Sequence, residues 1–308
     1  MFDGTEGMMG ETGMDTVSFV ILHYKDRAIT DKCIQSILKL ENQEQIQIVI
    51  VDNDIHKDKN SRKELADFYK GNSRIHVLPV YENGGFSHAN NKGYAYAREQ
   101  LQSSWIIAAN NDITFEQKDF IKRLEKSRQK HPCHVMGPDI VRLCDGIHQN
   151  PMDTRLRTEK EAAYTVRMNH LALTLYPFSF PLVSKMLAEG SQEQDADFYG
   201  SMQEDIIPCG ACLIFTPDFV KSESLAFTPE TQFFYEEYIL AYRCRKKGFS
   251  ILYEPSVKVI HDSAAATKAT YKDRKKRLRF MMEQTEKAAK IYLEMILEDG
   301  KCTEKQKK

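Results

Sequence analysis

A carboxylate follows the apolar run 105–109 after two amides, Asn110 and Asn111. This carboxylate, Asp112, would stand at the C-terminal end of a buried strand, where an open α/β sheet binds its ligand. One carboxylate alone holds Mg²⁺ weakly, but a bound diphosphate supplies further oxygens, which is the usual arrangement for this ion. The sequence therefore predicts that Asp112 binds a divalent metal beside a diphosphate. A plain strand-end loop is the alternative.

A second apolar run, 46–51, also ends in a carboxylate, Asp52, which is followed by Asn53. Parallel strands deliver their carboxyl ends to one edge of a sheet, so Asp52 and Asp112 are expected at the same edge. There Asp52 could accept a hydrogen bond from a nucleotide base or ribose. A turn or capping carboxylate is the alternative.

Residues 83–93, Asn-Gly-Gly-Phe-Ser-His-Ala-Asn-Asn-Lys-Gly, contain three glycines and three asparagines. Two glycines at a strand-to-helix turn let the backbone approach a ligand closely. Gly93 would cost ~1 kcal/mol against alanine inside a helix, which predicts close packing on the sheet or a ligand. The segment lacks both Gly-Lys-Ser/Thr and G-x-G-x-x-G, so it is not predicted to be a phosphate loop. A turn followed by a helix start is the alternative.

Two adjacent glutamates, Glu236 and Glu237, stand among aromatic residues near the start of a predicted helix. Desolvation raises the pKa of a carboxylate and makes it a better general base. Acidic residues at a helix start also complement the helix dipole, so a structural role is the alternative. His261 ends a later strand, where a single histidine is more often structural than a ligand.

The elements that would position these residues alternate between apolar strands and amphipathic helices. Strands are predicted at 17–23, 46–52, 74–80, 105–109, 135–143, 206–215, 249–253 and 257–261. Helices are predicted at 27–40, 61–70, from the turn 83–86 through 101, and at 116–129, 233–247 and 271–297. This order predicts right-handed crossovers and a mostly parallel central sheet with helices on both faces. Residues 150–205 show no clear period and are predicted to form an irregular lid.

Composition limits the classes of function. The chain has 308 residues, 42% hydrophobic and 28% charged, with a net charge of −1, so no global field would recruit nucleic acid. Seven scattered cysteines predict reduced thiols and a cytoplasmic location. Residues 1–15 are expected to be a disordered leader without signal-peptide character. No apolar run approaches the ~20 residues of a membrane span.

Together, these motifs resemble the GT-A fold glycosyltransferases of family 2, in particular the rhamnosyltransferase-like and galactofuranosyltransferase-like branch. The resemblance covers about residues 16–265 and rests on Val-Asp-Asn at 51–53, the segment 83–93, Asn-Asn-Asp at 110–112, and Glu-Glu at 236–237 with Arg243 and His261. It implies donor contacts from His23, Tyr24, Asp52, Asn53, Asn83, Gly85, Phe86, Asn90, Asn91, Asn110, Asn111 and Arg243. His23 stands where the family usually has asparagine.

The resemblance also implies an inverting sugar transfer from a UDP- or dTDP-sugar to a saccharide or lipid-linked saccharide, in cell-surface polysaccharide biosynthesis. Asp112 and His261 would hold Mn²⁺ or Mg²⁺. Glu237 would be the catalytic base, beside Glu236, although the family usually has aspartate at position 237. The alternatives are a sugar nucleotidyltransferase and a catalytically degenerate sugar-nucleotide-binding protein.

The predicted organisation is a nucleotide-binding half, 16–115, an acceptor and base half, 130–265, and a C-terminal amphipathic helix and tail, 266–308. The apolar run 171–183 could contact a membrane, although core packing or a homodimer contact is favoured. The basic cluster 272–279 could lie on an acidic lipid surface at the inner face of the membrane. Packing of its apolar stripe on the core is favoured there as well.

Overall fold

The chain is seen in a computed structural model that describes residues 15–54, 59–82, 84–176, 178, 180–181, 194–263 and 274–306, without the side chains of 59–61 and 301–306. Several predictions therefore lie outside the described residues. They concern the leader up to residue 14, the donor contact of Asn83, the part of the lid at 182–193, and the link 264–273 into the C-terminal helix.

Nine strands of the described residues form one sheet, in the order β3-β2-β1-β4-β8-β6-β9-β5, with β7 paired to β9. The strands are β1 Val17–His23, β2 Ile46–Asp52, β3 Ile75–Pro79, β4 Trp105–Asn110, β5 Ile113–Thr114, β6 Val135–Arg142, β7 Gln203–Glu204, β8 Cys212–Phe215 and β9 Ile251–His261. The first four strands in this order are parallel, as the alternation of strands and helices predicted.

The second half of the sheet is mixed, which corrects the expectation of a mostly parallel sheet there. β8 pairs antiparallel with both β4 and β6, and β9 pairs antiparallel with β5 and β7. The two short strands predicted at 249–253 and 257–261 form a single strand, β9. Its register against β6 shifts between Pro138 and Asp139, and this irregularity accommodates the polar interruption in the sequence.

Nine helices are described: α1 Arg27–Ile37, α2 Lys59–Tyr69, α3 Gly85–Glu99, α4 Phe120–Lys130, α5 Glu159–Thr174, α6 Ala196–Gly200, α7 Pro217–Ser222, α8 Glu236–Lys247 and α9 Arg274–Gln306. Residues of α1, α2 and α4 join one hydrophobic cluster, and residues of α3, α7 and α8 join another. Alternate strand residues divide in the same way, with Ile48 and Ile50 in the first cluster and Val49 and Val51 in the second. Helices therefore cover both faces of the sheet, as predicted.

The segment 150–205 is not irregular throughout, because residues 159–174 form α5. Thr158 and Glu161 make a capping box at its start: the Thr158 hydroxyl accepts from the Glu161 amide, and the Glu161 carboxylate accepts from the Thr158 amide. This sequence signature was available but was missed. No described helix is long and apolar enough to cross a membrane.

Candidate active site

Several residues predicted to contact the sugar-nucleotide donor lie together at the carboxyl edge of the parallel strands. His23 of β1 is the register partner of Asp52 of β2, and Leu22 is the partner of Asn110 of β4. The amide of Asn53 donates to the carbonyl of His23 at 3.0 Å, which joins the two strand ends beyond the ladder. The ends of β1, β2 and β4 therefore lie side by side at one edge of the sheet, as the apolar runs predicted.

His23 is fully buried, and its ring is fixed by Thr30 of α1. Nδ1 of His23 lies 2.6 Å from the Thr30 hydroxyl, which also accepts from the side-chain amide of Asn111 at 2.9 Å and donates to the carbonyl of Asp26 at 3.2 Å. His23 and Asn111 are therefore tied into one network. Tyr24 is partly exposed beside it.

A basic residue that sequence reasoning missed, Arg62 of α2, approaches the same edge. Its Nη1 lies 3.7 Å from a carboxylate oxygen of the buried Asp52, and its Nη2 donates to the carbonyl of Asp54 at 2.8 Å. The guanidinium also lies over the ring of Tyr81, 5.0 Å from its centroid. Arg62 therefore places positive charge beside the carboxylate predicted to contact the nucleotide.

The glycine-rich turn packs on the segment that leads into α8. Gly85 has a φ of +74°, and a Cβ there would lie 2.4 Å from the carbonyl oxygen of Gln232. The amide of the next residue, Phe86, donates to that carbonyl at 2.6 Å. Only glycine allows both the left-handed conformation and this close approach.

Asn90 and Asn91, predicted to contact the donor, use their amides inside the protein. Asn90 donates to the carbonyl of Phe86 at 3.1 Å. Asn91 donates to the carbonyl of Phe227 at 2.8 Å and accepts from its amide at 2.9 Å. Both side-chain amides therefore bind backbone groups of the protein itself. Their contact with the sugar-nucleotide donor stays a prediction.

Asp112 and His261 meet because β5 pairs antiparallel with β9, which makes Ile113 the register partner of His261. Oδ1 of Asp112 lies 3.2 Å from Nε2 of His261, within ion-pair distance. The same oxygen is buried and has no hydrogen-bond partner among the described residues. The His261 contact thus has the distance of an ion pair without the angles of a hydrogen bond.

Gln149 fixes the tautomer of His261. Its side-chain carbonyl oxygen lies 2.6 Å from Nδ1, so Nδ1 carries the proton that is donated. In the neutral imidazole, the lone pair of Nε2 then faces Oδ1 of Asp112. Two acceptors that face each other in a buried place repel unless a positive charge lies between them.

This pair fits a divalent cation. A carboxylate oxygen and an imidazole nitrogen would both be suitable ligands, and Oδ1 of Asp112 has no hydrogen-bond partner among the described residues. Among the described residues, however, no three histidine, cysteine, aspartate or glutamate side chains gather as a metal cluster. Asp112 and His261 are therefore two candidate metal ligands, and a bound molecule would have to supply the other ligands.

Glu236 and Glu237 are the first two residues of α8. Glu236 is buried, and its Oε2 has no hydrogen-bond partner in the described part of the chain. Oε1 of Glu237 accepts from the amide of Gly210 at 3.2 Å. A Cβ at Gly210 would lie 2.6 Å from that oxygen, so the carboxylate occupies the space a side chain would fill.

Burial raises the pKa of both carboxyl groups above the ordinary glutamate value, and the charge of Glu237 raises the pKa of Glu236 further. The two residues before them, Phe234 and Tyr235, have φ angles of 67° and 60°. Bulky residues rarely adopt this left-handed conformation, and such strain concentrates at functional sites. A desolvated carboxylate at a strained helix start is suited to accept a proton.

The turn before β8 connects the two halves of the site. Gly210 contacts Glu237, and the carbonyl of the next residue, Ala211, accepts from the amide of Asn110 at 3.0 Å. Asn110 stands two residues before Asp112. Glu237 and the strand end that leads to Asp112 therefore contact the same turn, although they come from distant parts of the sequence.

Arg243 lies apart from these groups. Its guanidinium contacts the carboxylate of Glu223 at 3.1 Å and the carbonyl of Ala226 at 3.1 Å. These contacts hold α8 against the segment after α7. Arg243 was predicted to contact the sugar-nucleotide donor, but its contacts with Glu223 and Ala226 do not support that prediction.

Comparisons with known proteins agree with this architecture. The model of a family described as glycosyl transferase family 2 matches residues 18–187. Residues 1–349 of S. aureus TarS are similar at 11% identity and a TM-score of 0.50, over 82% of this chain and 62% of that chain. GalNAc-T7, solved with UDP, GalNAc and Mn²⁺, is similar at 12% identity and a TM-score of 0.54, over 82% of this chain and 44% of that chain.

The chain thus spans less than two thirds of either of these two structures. No curated protein matches it. At such low identities the likeness concerns the fold, and it confirms the GT-A fold predicted from the sequence.

Proposed function

Because this chain belongs to glycosyl transferase family 2, we propose that it transfers a sugar from a nucleotide-diphosphate donor to an acceptor hydroxyl, with inversion at the anomeric carbon. The donor would be a UDP- or dTDP-sugar. The acceptor would be a saccharide or a lipid-linked saccharide in cell-surface polysaccharide biosynthesis, in keeping with the rhamnosyltransferase-like and galactofuranosyltransferase-like branch.

One observation carries this proposal: the turn at Gly210 and Ala211 touches both the base candidate Glu237 and the strand end that leads to Asp112. Inverting transfer requires a base on one side of the anomeric carbon and charge stabilisation for the leaving diphosphate on the other. The desolvated carboxylate of Glu237 and the strand end that leads to the candidate metal ligand Asp112 meet at one turn, and this arrangement supports the proposal.

The donor would lie along the carboxyl edge of β1, β2 and β4. Asp52 and Asn53 would contact the base or ribose, and Tyr24, partly exposed at the end of β1, offers a surface for the base. His23 and Asn111 would shape the edge through their shared partner Thr30.

Glu237 would take the proton of the acceptor hydroxyl as its oxygen attacks the anomeric carbon, while the bond to the diphosphate breaks. General-base catalysis of this kind contributes about 10²–10⁴-fold to the rate. Gly210 holds the carboxylate in position through its amide. Glu236 is a second buried carboxyl group beside Glu237. Because two neighbouring negative charges repel, the charge of Glu237 raises the pKa of Glu236.

Asp112 and His261 would hold Mn²⁺ or Mg²⁺, with Gln149 orienting the imidazole. When bound, the ion supplies positive charge that stabilises the departing nucleoside diphosphate. The cysteines at 33, 133, 144, 209, 212 and 244 are free thiols, which supports a reducing compartment such as the cytoplasm.

A donor panel tests the proposal. Purified protein would be incubated with UDP- and dTDP-sugars, with Mn²⁺, Mg²⁺ or EDTA, and the released products would be separated. UDP donors come first, because the similar GalNAc-T7 was solved with UDP. Metal-dependent release of nucleoside diphosphate is the expected result. Formation of nucleoside triphosphate and sugar 1-phosphate when inorganic pyrophosphate is added would identify a nucleotidyltransferase, and donor binding without turnover would identify a degenerate binding protein.

A further inference from the structure

The outer face of α5 and the residues just after it carry a row of exposed apolar side chains. Tyr164 is 64% exposed, Leu171 is 52% exposed and Phe178 is 84% exposed, and Met168 and Leu175 lie between them in sequence. Their spacing of four and three residues places the members within α5 on one side of the helix. A contiguous exposed apolar row marks an interaction surface, whereas scattered apolar residues need no explanation.

The inner face of the same helix is already packed. Ala172 and Leu173 pack against a small cluster that contains Leu278 and Met282 of α9. Tyr176, which belongs to this cluster, donates its hydroxyl proton to the carbonyl of Lys275. The exposed row is therefore not required to attach α5 to the protein. Core packing therefore accounts for only some side chains of the run that begins at residue 171, for which core packing or a homodimer contact is favoured from the sequence.

Positive charge borders the exposed row. Lys160 and Arg167 are exposed on the same side of α5, at the 3.6-residue spacing of the row. The nearby carboxylate of Glu161 is compensated, because it pairs with Arg155 at 2.6 Å.

The first turn of α9 extends this positive border. Arg274, Lys275 and Lys276 are exposed there. Nζ of Lys275 lies 5.8 Å from the ring centroid of Phe180, and the guanidinium of Arg279 lies 5.7 Å from that of Tyr176. The basic start of α9 is thus joined to the segment that follows α5.

We propose that this surface, the apolar row of α5 with the basic start of α9, binds an anionic lipid bilayer. An apolar face inserts at the boundary of head groups and acyl chains, and flanking lysine and arginine side chains meet anionic head groups. A second copy of the chain fits less well, because a two-fold contact through this row would bring two positive borders together. The 16 residues of α5, which include several charges, are suited to lie in the interface plane rather than to cross it.

The surface is also linked to the candidate base. The hydroxyl of Tyr235, the residue that precedes Glu236, lies 3.2 Å from the hydroxyl of Thr165 of α5. Bilayer binding would therefore place the acceptor side of the site near the membrane, a consequence that rests on the proposed transfer. Lipid binding itself does not depend on that activity.

Vesicle flotation tests the proposal without any substrate. The full chain would be mixed with vesicles of phosphatidylcholine alone or with 30 mol% phosphatidylglycerol. The anionic vesicles are expected to bind at least about tenfold more tightly. The double variant Leu171→Glu/Phe178→Glu should lose this binding, and Lys276→Glu should weaken it in a salt-dependent manner. Phe68→Glu is the matched control, because Phe68 is 51% exposed on α2, and it should bind as the unaltered chain does.

Circular dichroism and thermal melts would establish that each variant is folded. Equal binding to both vesicle types, or no binding of the unaltered chain, would overturn the proposal. So would retained binding by the double variant. A dimer in sedimentation velocity that the double variant abolishes, without vesicle binding, would assign the row to self-association instead.

Discussion

Nε2 of His261 lies 3.2 Å from Oδ1 of Asp112, and the proton on the other ring nitrogen of His261 is held by Gln149. The histidine therefore presents a lone pair to a buried carboxylate oxygen that has no hydrogen-bond partner among the described residues. Such an arrangement is stable with a cation between the two atoms, or with a second proton on the imidazole. Donor phosphates would complete the site.

Gln149→Leu should weaken metal binding by about 10–100-fold, because the residue that orients a ligating histidine contributes on this scale. Calorimetric titration of Mn²⁺ in the presence of UDP would measure the affinity. Gln149→Glu keeps an acceptor for the Nδ1 proton and should retain most of the affinity. An unchanged affinity in Gln149→Leu would show that His261 is not a ligand oriented in this way.

Gly210→Ala should displace the carboxylate of Glu237, since the new Cβ would lie 2.6 Å from Oε1. A displacement of about 1 Å at a reacting group can cost about 10²-fold in turnover. We expect kcat to fall on this scale while UDP binding is kept. Gly71→Ala is the control, because a Cβ at Gly71 would have no atom of the described residues within 4 Å apart from its chain neighbours. Full turnover in a folded Gly210→Ala protein would contradict the assignment of Glu237.

Gly93→Ala should destabilise the fold although alanine favours a helix. A Cβ at position 93 would lie 2.3 Å from Cγ1 of Val20 and 2.7 Å from Cγ2 of Val51. Overpacking of this kind costs about 1–3 kcal/mol, against a helix-propensity gain of ~1 kcal/mol. Urea unfolding would measure the loss, with Gly71→Ala as control. A combined Gly93→Ala/Val20→Ala variant should show less than additive loss, and a stabilised Gly93→Ala protein would refute the close packing of α3.

Glu236→Gln should change how stability depends on pH. Burial, and then the charge of Glu237, raise the pKa of Glu236 in the folded protein above the ordinary value of 4.5. As pH rises through 4.5, the unfolded chain releases a proton that the folded chain keeps, so the stability associated with Glu236 declines until the folded pKa is passed. Glutamine does not ionise, so the stability of Glu236→Gln should lack this decline with rising pH.

Urea unfolding of both proteins between pH 4.5 and 8 measures this effect. The stability of Glu236→Gln relative to the unaltered chain should increase with pH across this window. Glu230→Gln, at an exposed position, should show no such trend. A difference that is constant with pH would show that Glu236 ionises normally in the folded protein.

The sequence predicted the parallel half of the sheet because its strands are continuous apolar runs, each followed by an amphipathic helix. β1 and β2 match the predicted bounds, and Gly93 packs on the sheet as its cost within a helix indicated. Gly248 ends α8 in the left-handed conformation that is typical of glycine after a helix. These features depend on local patterns, which is why they could be predicted.

Other features depend on contacts between distant segments. The pairing of β5 with β9 places Asp112 beside His261, and nothing local to Asn110-Asn-Asp112 indicates Gln149. Asn91 has the residue type of a ligand contact, yet its amide holds the backbone of Phe227. The periodicity of the sequence does not predict α5, because apolar side chains occupy its outward face, where a surface helix normally has polar residues.

The turnover of Glu237→Gln would show whether Glu237 is the base of a sugar transfer. The rate of nucleoside diphosphate release would be measured with the donor identified by the panel, alongside the affinity for that donor. We predict a fall in kcat of about 10²–10⁴-fold with donor affinity unchanged, and ordinary turnover in the exposed control Glu230→Gln. A Glu237→Gln protein that turns over at nearly the unaltered rate would show that Glu237 is not the base.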